Sequence, residues 1–111
     1  MKLAVIGSRG FNDYSLLCHE LDKLQFDCIV SGGARGADQL AARYAKERNI
    51  TLIEHLPDYT KYGRGAPLVR NKLIIQDADQ VIAFWDGVST GTAHSITLAR
   101  RQGKNVNVIS C

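Results

Sequence analysis

A chain of 111 residues with 45% hydrophobic and 23% charged residues is ordinary for a soluble globular protein, with a core for one domain. The net charge of +3 suits an anionic small ligand and does not by itself argue for nucleic acid. The three cysteines, Cys18, Cys28 and Cys111, have no close spacing, so neither a zinc site nor a disulfide framework is expected.

Leu3 to Ile6 is a short apolar run closed by Gly7-Ser8-Arg9-Gly10-Phe11, the pattern of a strand buried on both faces. The apolar start stops too soon for an export signal or a membrane span, so a cytoplasmic location without a membrane partner is expected. Asn12 or Asp13 fits the cap of a first helix with Leu17, Leu21 and Leu24 on one face. Cys28-Ile29-Val30 forms a second strand and runs into Ser31-Gly32-Gly33-Ala34-Arg35-Gly36-Ala37-Asp38. Ala37, Leu40, Ala41, Tyr44 and Ala45 then keep helical spacing as far as Arg48, where Asn49 closes the helix. Thr51 to Leu56 reads as a third strand, and Pro57 to Gly65, without periodicity, as a loop. Pro67 fits the first turn of a third helix reaching about Gln76. Gln80 to Phe84 is a fourth strand, Thr92 to Gln102 a fourth helix ending at Gly103, and Val106 to Ile109 a fifth strand. Five strands alternating with four helices predict an α/β fold, a doubly wound five-stranded parallel sheet with helices on both faces, as one domain over residues 1–111.

Glycine loops follow strands one, two and four. With strand one central they meet in one crevice at the carboxyl ends of the strands, where such sheets bind ligands. Gly7, Ser8 and Arg9 form the first loop; Gly32, Gly33, Arg35 and Gly36 form the second. Free N–H groups at a helix start, glycines without Cβ atoms and a bidentate arginine together suit phosphate. The second loop fits only part of the dinucleotide fingerprint, with Ser31 in place of the first glycine, and is no Walker loop. Ser89, Thr90, Gly91 and Thr92 open the fourth helix as a second anion site or as a plain N-cap. Asp86 is a ribose ligand, a general base or a turn aspartate; Asp38 caps its helix or holds Arg35. Arg70 and Asn71 reach the crevice from one side or are solvated, while Tyr59 to Arg64 folds over a base or is a surface loop. No nucleophile–base triad, metal spacing or cofactor is expected, and His19 and His55 show no partner.

Taken together, the loops with Arg70-Asn71 and Trp85-Asp86-Gly87 resemble the SLOG superfamily over nearly the whole chain, the small YspA/YpsA-related branch above all. The lonely-guy phosphoribohydrolases and DNA-processing protein A are relatives of that branch. The resemblance implies a Rossmann-like fold that binds a nucleotide or nucleotide-derived ligand and pairs as a homodimer through helices. The phosphoribohydrolases carry Pro-Gly-Gly-x-Gly-Thr-x-x-Glu; here Gly91-Thr92 is kept and Ser95 takes the glutamate position. Arg70 matches an arginine that those enzymes use, with Asn71 where they have lysine.

The leading expectation is a nucleotide-type small-molecule sensor or carrier, for a nucleoside phosphate or an ADP-ribose-like ligand. The first alternative is hydrolysis of a nucleotide N-glycosidic bond, with Asp86 or Asp38 replacing the missing glutamate. The second is a DNA-binding accessory protein, for which Arg100, Arg101 and Lys104 supply a basic cluster.

Overall fold

The computed structural model describes all residues from Met1 to Cys111. Five strands, β1 (Lys2–Gly7), β2 (Cys28–Ser31), β3 (Thr51–Glu54), β4 (Gln80–Trp85) and β5 (Asn105–Ser110), form one sheet. Its order is β3-β2-β1-β4-β5 with every neighbouring pair parallel, so β1 is central. Helices α1 (Tyr14–Asp22) and α2 (Ala37–Glu47) cover one face. Helices α4 (Ala66–Asp77) and α5 (Thr90–Arg101) cover the other.

Strand alternation divides the core into two layers. Leu3 and Val5 of β1 join Ile29, Ile82 and Phe84 under Leu17, Leu21, Ala41 and Tyr44. Ala4 and Ile6 face the opposite way and meet Val30, Val81, Ala83, Ile74, Ile75, Ile96 and Ala99. A central strand covered on both faces must be apolar at every position, which is why β1 reads as an unbroken apolar run. Phe11 stacks on Phe84 at 4.8 Å between centroids and ties the first loop to the end of β4.

Three local features depart from the sequence reading. Residues 57–65 are not an irregular loop. Asp58 accepts from the Lys61 N–H and caps a short helix, α3 (Tyr59–Tyr62), and a 3₁₀ turn (Gly63–Gly65) leads into α4. The helices therefore number five. β3 ends at Glu54 instead of Leu56: the His55 N–H still donates to the Ser31 carbonyl, and Pro57, which has no N–H, follows within two residues. α5 starts at Thr90, two residues before the expected Thr92. Asp13 caps α1 through the Leu16 N–H, and Asn49 (φ 54°) and Gly103 (φ 72°) follow the ends of α2 and α5 in left-handed conformations.

Candidate functional site

Because β1 is central, the segments after β1, β2 and β4 converge. They enclose, with α4, a crevice of about 450 Å³ at the carboxyl ends of the strands. Gly7, Ser8, Arg9 and Gly10 line it from the first loop; Ala34 and Asp38 line it from the second loop and the first turn of α2. Arg70 and Asn71 enter from α4, and Ser89, Thr90, Gly91, Thr92 and Ser95 from α5. The loops interlock at their glycines. A Cβ on Gly36 (φ 79°) would meet the Ser8 carbonyl oxygen and, at 2.6 Å, that of Arg9; one on Gly7 would meet the Ala37 Cβ at 2.7 Å. Close approach of two backbones is what these glycines permit.

The first turn of α5 leaves its N–H groups uncapped and open to the crevice. Ser89 is its N-cap residue but makes no side-chain cap. Its hydroxyl instead donates to Asp86 Oδ2 at 2.9 Å, while Asp86 Oδ1 accepts from the N–H groups of Val88 (2.9 Å) and Ser89 (2.8 Å). The N–H groups of Thr90, Gly91 and Thr92 have no intrahelical acceptor, and the helix dipole adds positive potential there. A Cβ on Gly91 would meet nothing, so a ligand has room to approach. Thr92 and Ser95, both buried, bring hydroxyls to the crevice wall.

The cations are Arg9, exposed on the first loop, and Arg70, half-buried on α4. Arg70 donates through Nε to Asn71 Oδ1 at 2.8 Å and through Nη1 to the Gly32 carbonyl at 2.8 Å. Its remaining N–H groups are available to a ligand, since a guanidinium carries five.

The second loop already gives one of its N–H groups to an acceptor of the same chain. Asp38, 9% exposed, accepts from the Ala34 N–H at 3.0 Å through its own carboxylate. Burial pushes its carboxyl above the ordinary carboxylate range, against the lowering effects of the Ala34 N–H and the Arg70 charge. N–H groups expected to face phosphate are thus turned to a side chain of the same chain. Neither of the two roles read for Asp38, capping α2 or gripping Arg35, is the one it has: the N-cap is Gly36, and the carboxylate reaches back to Ala34.

Among the residues singled out from sequence, Gly7, Ser8, Arg9, Asp38, Arg70, Asn71, Ser89, Gly91 and Thr92 lie together around the crevice. Gly32, Gly33, Arg35 and Gly36 form the adjoining turn but do not line it, and Arg35 is exposed. Asp86 sits behind the first loop, beside Asp13 and Cys111 in a second cavity. Three hydrogen bonds, those from the Ser89 and Val88 N–H groups foremost, hold its carboxyl down at about 2, which makes it a weak base. Ser95, at the position of the phosphoribohydrolase glutamate, does line the crevice but brings a hydroxyl. Thr90, read from sequence with Ser89, Gly91 and Thr92 as part of the helix opening, lines the crevice too, whereas Ala34 and Gly10 had no role of their own and only the folded loops show their place. His55 has a partner after all, Asp77 Oδ2 at 3.0 Å from Nε2, and Lys2 Nζ lies 2.8 Å from the other oxygen. No group of three His, Cys, Asp or Glu side chains is placed to hold a metal ion, and no helix is long and apolar enough to cross a membrane.

Residues 1–62 match the family described as YspA, cpYpsA-related SLOG family. The chain is 33% identical over 113 aligned residues to the gene 61 protein of Mycobacterium phage D29, covering 92% of this chain and 90% of that protein. Its fold is similar to DNA processing protein A (DprA) from Streptococcus pneumoniae, with a TM-score of 0.79 and 19% identity over 99% of this chain and 50% of that one. It is also similar to DNA processing protein A from Helicobacter pylori, a structure described for its single-stranded DNA binding mode. Here the TM-score is 0.75, with 29% identity over 97% of this chain and 64% of that one. The chain therefore spans half of the first DNA processing protein and under two thirds of the second.

Proposed function

The chain belongs to the YspA/cpYpsA-related SLOG family, and from that membership and the crevice geometry we propose that it binds single-stranded DNA by seating a backbone phosphate in the crevice. The observation that carries this is the first turn of α5, uncapped by its own Ser89 and sharing the crevice with Arg70. Three N–H groups, the Thr92 hydroxyl and a guanidinium satisfy a phosphate's oxygens without a metal ion. The Helicobacter pylori relative's single-stranded DNA binding favours a strand over the free small molecule expected from sequence alone.

A free nucleotide, nucleoside phosphate or ADP-ribose-like, is the second reading. It is favoured by the crevice volume of about 450 Å³, which is in the range of small-ligand sites. Hydrolysis of an N-glycosidic bond draws less support, because Ser95 replaces the carboxylate, Asp86 lies outside the crevice as a weak base, and Asp38, which does line the crevice, has its carboxylate engaged by the Ala34 N–H.

The deciding experiment is fluorescence anisotropy of a labelled single-stranded oligonucleotide across a salt series, with AMP and ADP-ribose as competitors. Strand binding that falls steeply with salt and weakens in Arg70→Ala is expected. Tight AMP or ADP-ribose binding with no strand binding would replace DNA by the free nucleotide. Release of free base would make the protein a hydrolase.

A further inference from the structure

Of the seven large hydrophobic side chains that the fold leaves exposed, five lie between residues 56 and 73: Leu56, Tyr59, Tyr62, Leu68 and Leu73. The stretch Tyr59 to Gln76 also carries Lys61, Arg64, Arg70 and Lys72 with no carboxylate, whereas the whole chain has a net charge of only +3. Two members of this concentration, Leu68 and Arg70, line the crevice from α4, and α3 with the 3₁₀ turn leads directly into that helix. The other basic cluster, Arg100 and Arg101, stands at the far end of α5, about 15 Å along the helix from its first residue.

We propose that Tyr59 and Tyr62 form a base-stacking platform beside the crevice, on which unpaired nucleobases lie while Lys61 and Arg64 meet the phosphates between them. The inference rests on the reading that the crevice takes a nucleic-acid phosphate. Both tyrosine rings are open to solvent, at 59% and 41% exposure, although each is large enough to have been buried in a core of this size. Lys61 Nζ already lies 5.2 Å from the centroid of the Tyr62 ring, so cation and ring occupy one surface. Asp58 fixes the segment by accepting the Lys61 N–H, and a fixed turn presents its rings with little entropy left to lose. Alternating aromatic and basic side chains beside a phosphate site is the composition that single strands require. Every base has a face to stack, and every linkage carries a charge.

The test compares an oligothymidylate with an abasic strand of equal length, by anisotropy, on the full chain. The parent protein is expected to prefer the base-bearing strand by about tenfold or more. Tyr62→Ala and Tyr59→Ala are expected to erode that preference and leave abasic-strand binding unchanged, while Tyr62→Trp restores it. Arg70→Ala should weaken both strands alike. Equal affinity for the two strands, or tyrosine variants that bind as the parent does, overturns the platform and leaves the crevice reading standing. No binding of either strand overturns both. A parent dimer that dissociates in Tyr62→Ala, with no strand preference, assigns the patch to a second copy of the chain.

Discussion

Arg70 Nη1 donates to the carbonyl oxygen of Gly32 at 2.8 Å, joining α4 to the turn after β2 across 38 positions of sequence. One guanidinium thus positions the second loop and also faces the crevice. A Cβ on Gly32 would sit 2.6 Å from that Nη1, so the contact requires glycine. Arg70→Ala is expected to weaken strand binding by about 1.5–3 kcal/mol, the range for hydrogen bonds to charged groups. Arg70→Lys should recover little of it, since an ammonium cannot hold the carbonyl and a phosphate in one plane. Anisotropy titration of the three proteins measures this, and unchanged affinity in Arg70→Ala removes the residue from the site.

Asp38 is expected to oppose binding. Its carboxyl is buried at the crevice wall and held above the ordinary carboxylate range by that burial. Above its folded pKa it presents a negative charge to an incoming phosphate, so anion binding should draw a proton onto it. The stability sign follows: a raised folded pKa means that the native state binds more protons between the unfolded and folded values, so stability falls as pH rises through that window. Asp38→Asn keeps an oxygen for the Ala34 N–H and removes the charge. It should tighten binding at pH values above the folded pKa of Asp38 and flatten this part of the pH dependence, as thermal unfolding at several pH values would record. Weaker binding in Asp38→Asn would instead show that the phosphate needs the carboxylate.

Asp86 is expected to behave oppositely. Its carboxyl is held at about 2 by the Ser89 and Val88 N–H groups, so its stabilising effect is present at neutral pH and is lost as pH falls toward that value. Asp86→Ala should release Ser89 to cap α5 itself, and a capped helix has fewer N–H groups for a ligand. Weaker binding together with a smaller loss of stability on acidification is the expected pair of results, and retained binding would count against the α5 receptor.

Much of the architecture was legible because its signals are local. β1, β2 and β4 are covered on both faces, which leaves runs such as Leu3 to Ile6 without polar interruption. Connection chirality leaves more than one strand order open, so the central place of β1 was a condition in the sequence and is a finding of the fold; that order brings three loops to one crevice. What was not legible depends on where side chains turn after folding. Nothing in Asp86-Gly87-Val88-Ser89 says that the aspartate takes the serine hydroxyl and leaves the helix uncapped. Nothing in the second loop says that its Ala34 N–H binds Asp38, because a carboxylate and a phosphate satisfy the same donor. The His55–Asp77 contact spans 22 positions between two elements whose ends meet only in the tertiary fold.

Gly36 and Gly10 predict opposite outcomes for the same change. Gly36→Ala places a methyl group at φ 79° against the Ser8 and Arg9 carbonyls, where only backbone can yield. Strain of this kind costs about 1–3 kcal/mol, and overpacking adds a similar amount. Gly10→Ala meets nothing within 4 Å and should stay within about 0.5 kcal/mol of the parent. Urea denaturation separates the two; equal midpoints would mean that the loops are not interlocked as described.

The two basic clusters make a final prediction about salt. If the strand follows the crevice past α3, Lys61 and Arg64 each neutralise a phosphate, whereas Arg100 and Arg101, at the other end of α5, meet none. Each phosphate contact contributes about 0.7 to the slope of log affinity against log salt for a single strand. Lys61→Ala with Arg64→Ala should therefore weaken binding at low salt and lower the slope by about 1.4 in magnitude. Arg100→Ala with Arg101→Ala removes the same formal charge from the protein and should leave the slope where it was. Equal effects of the two double variants would mean that net charge alone attracts the strand. A slope carried by Arg100 and Arg101 would move the interface to the opposite end of the sheet.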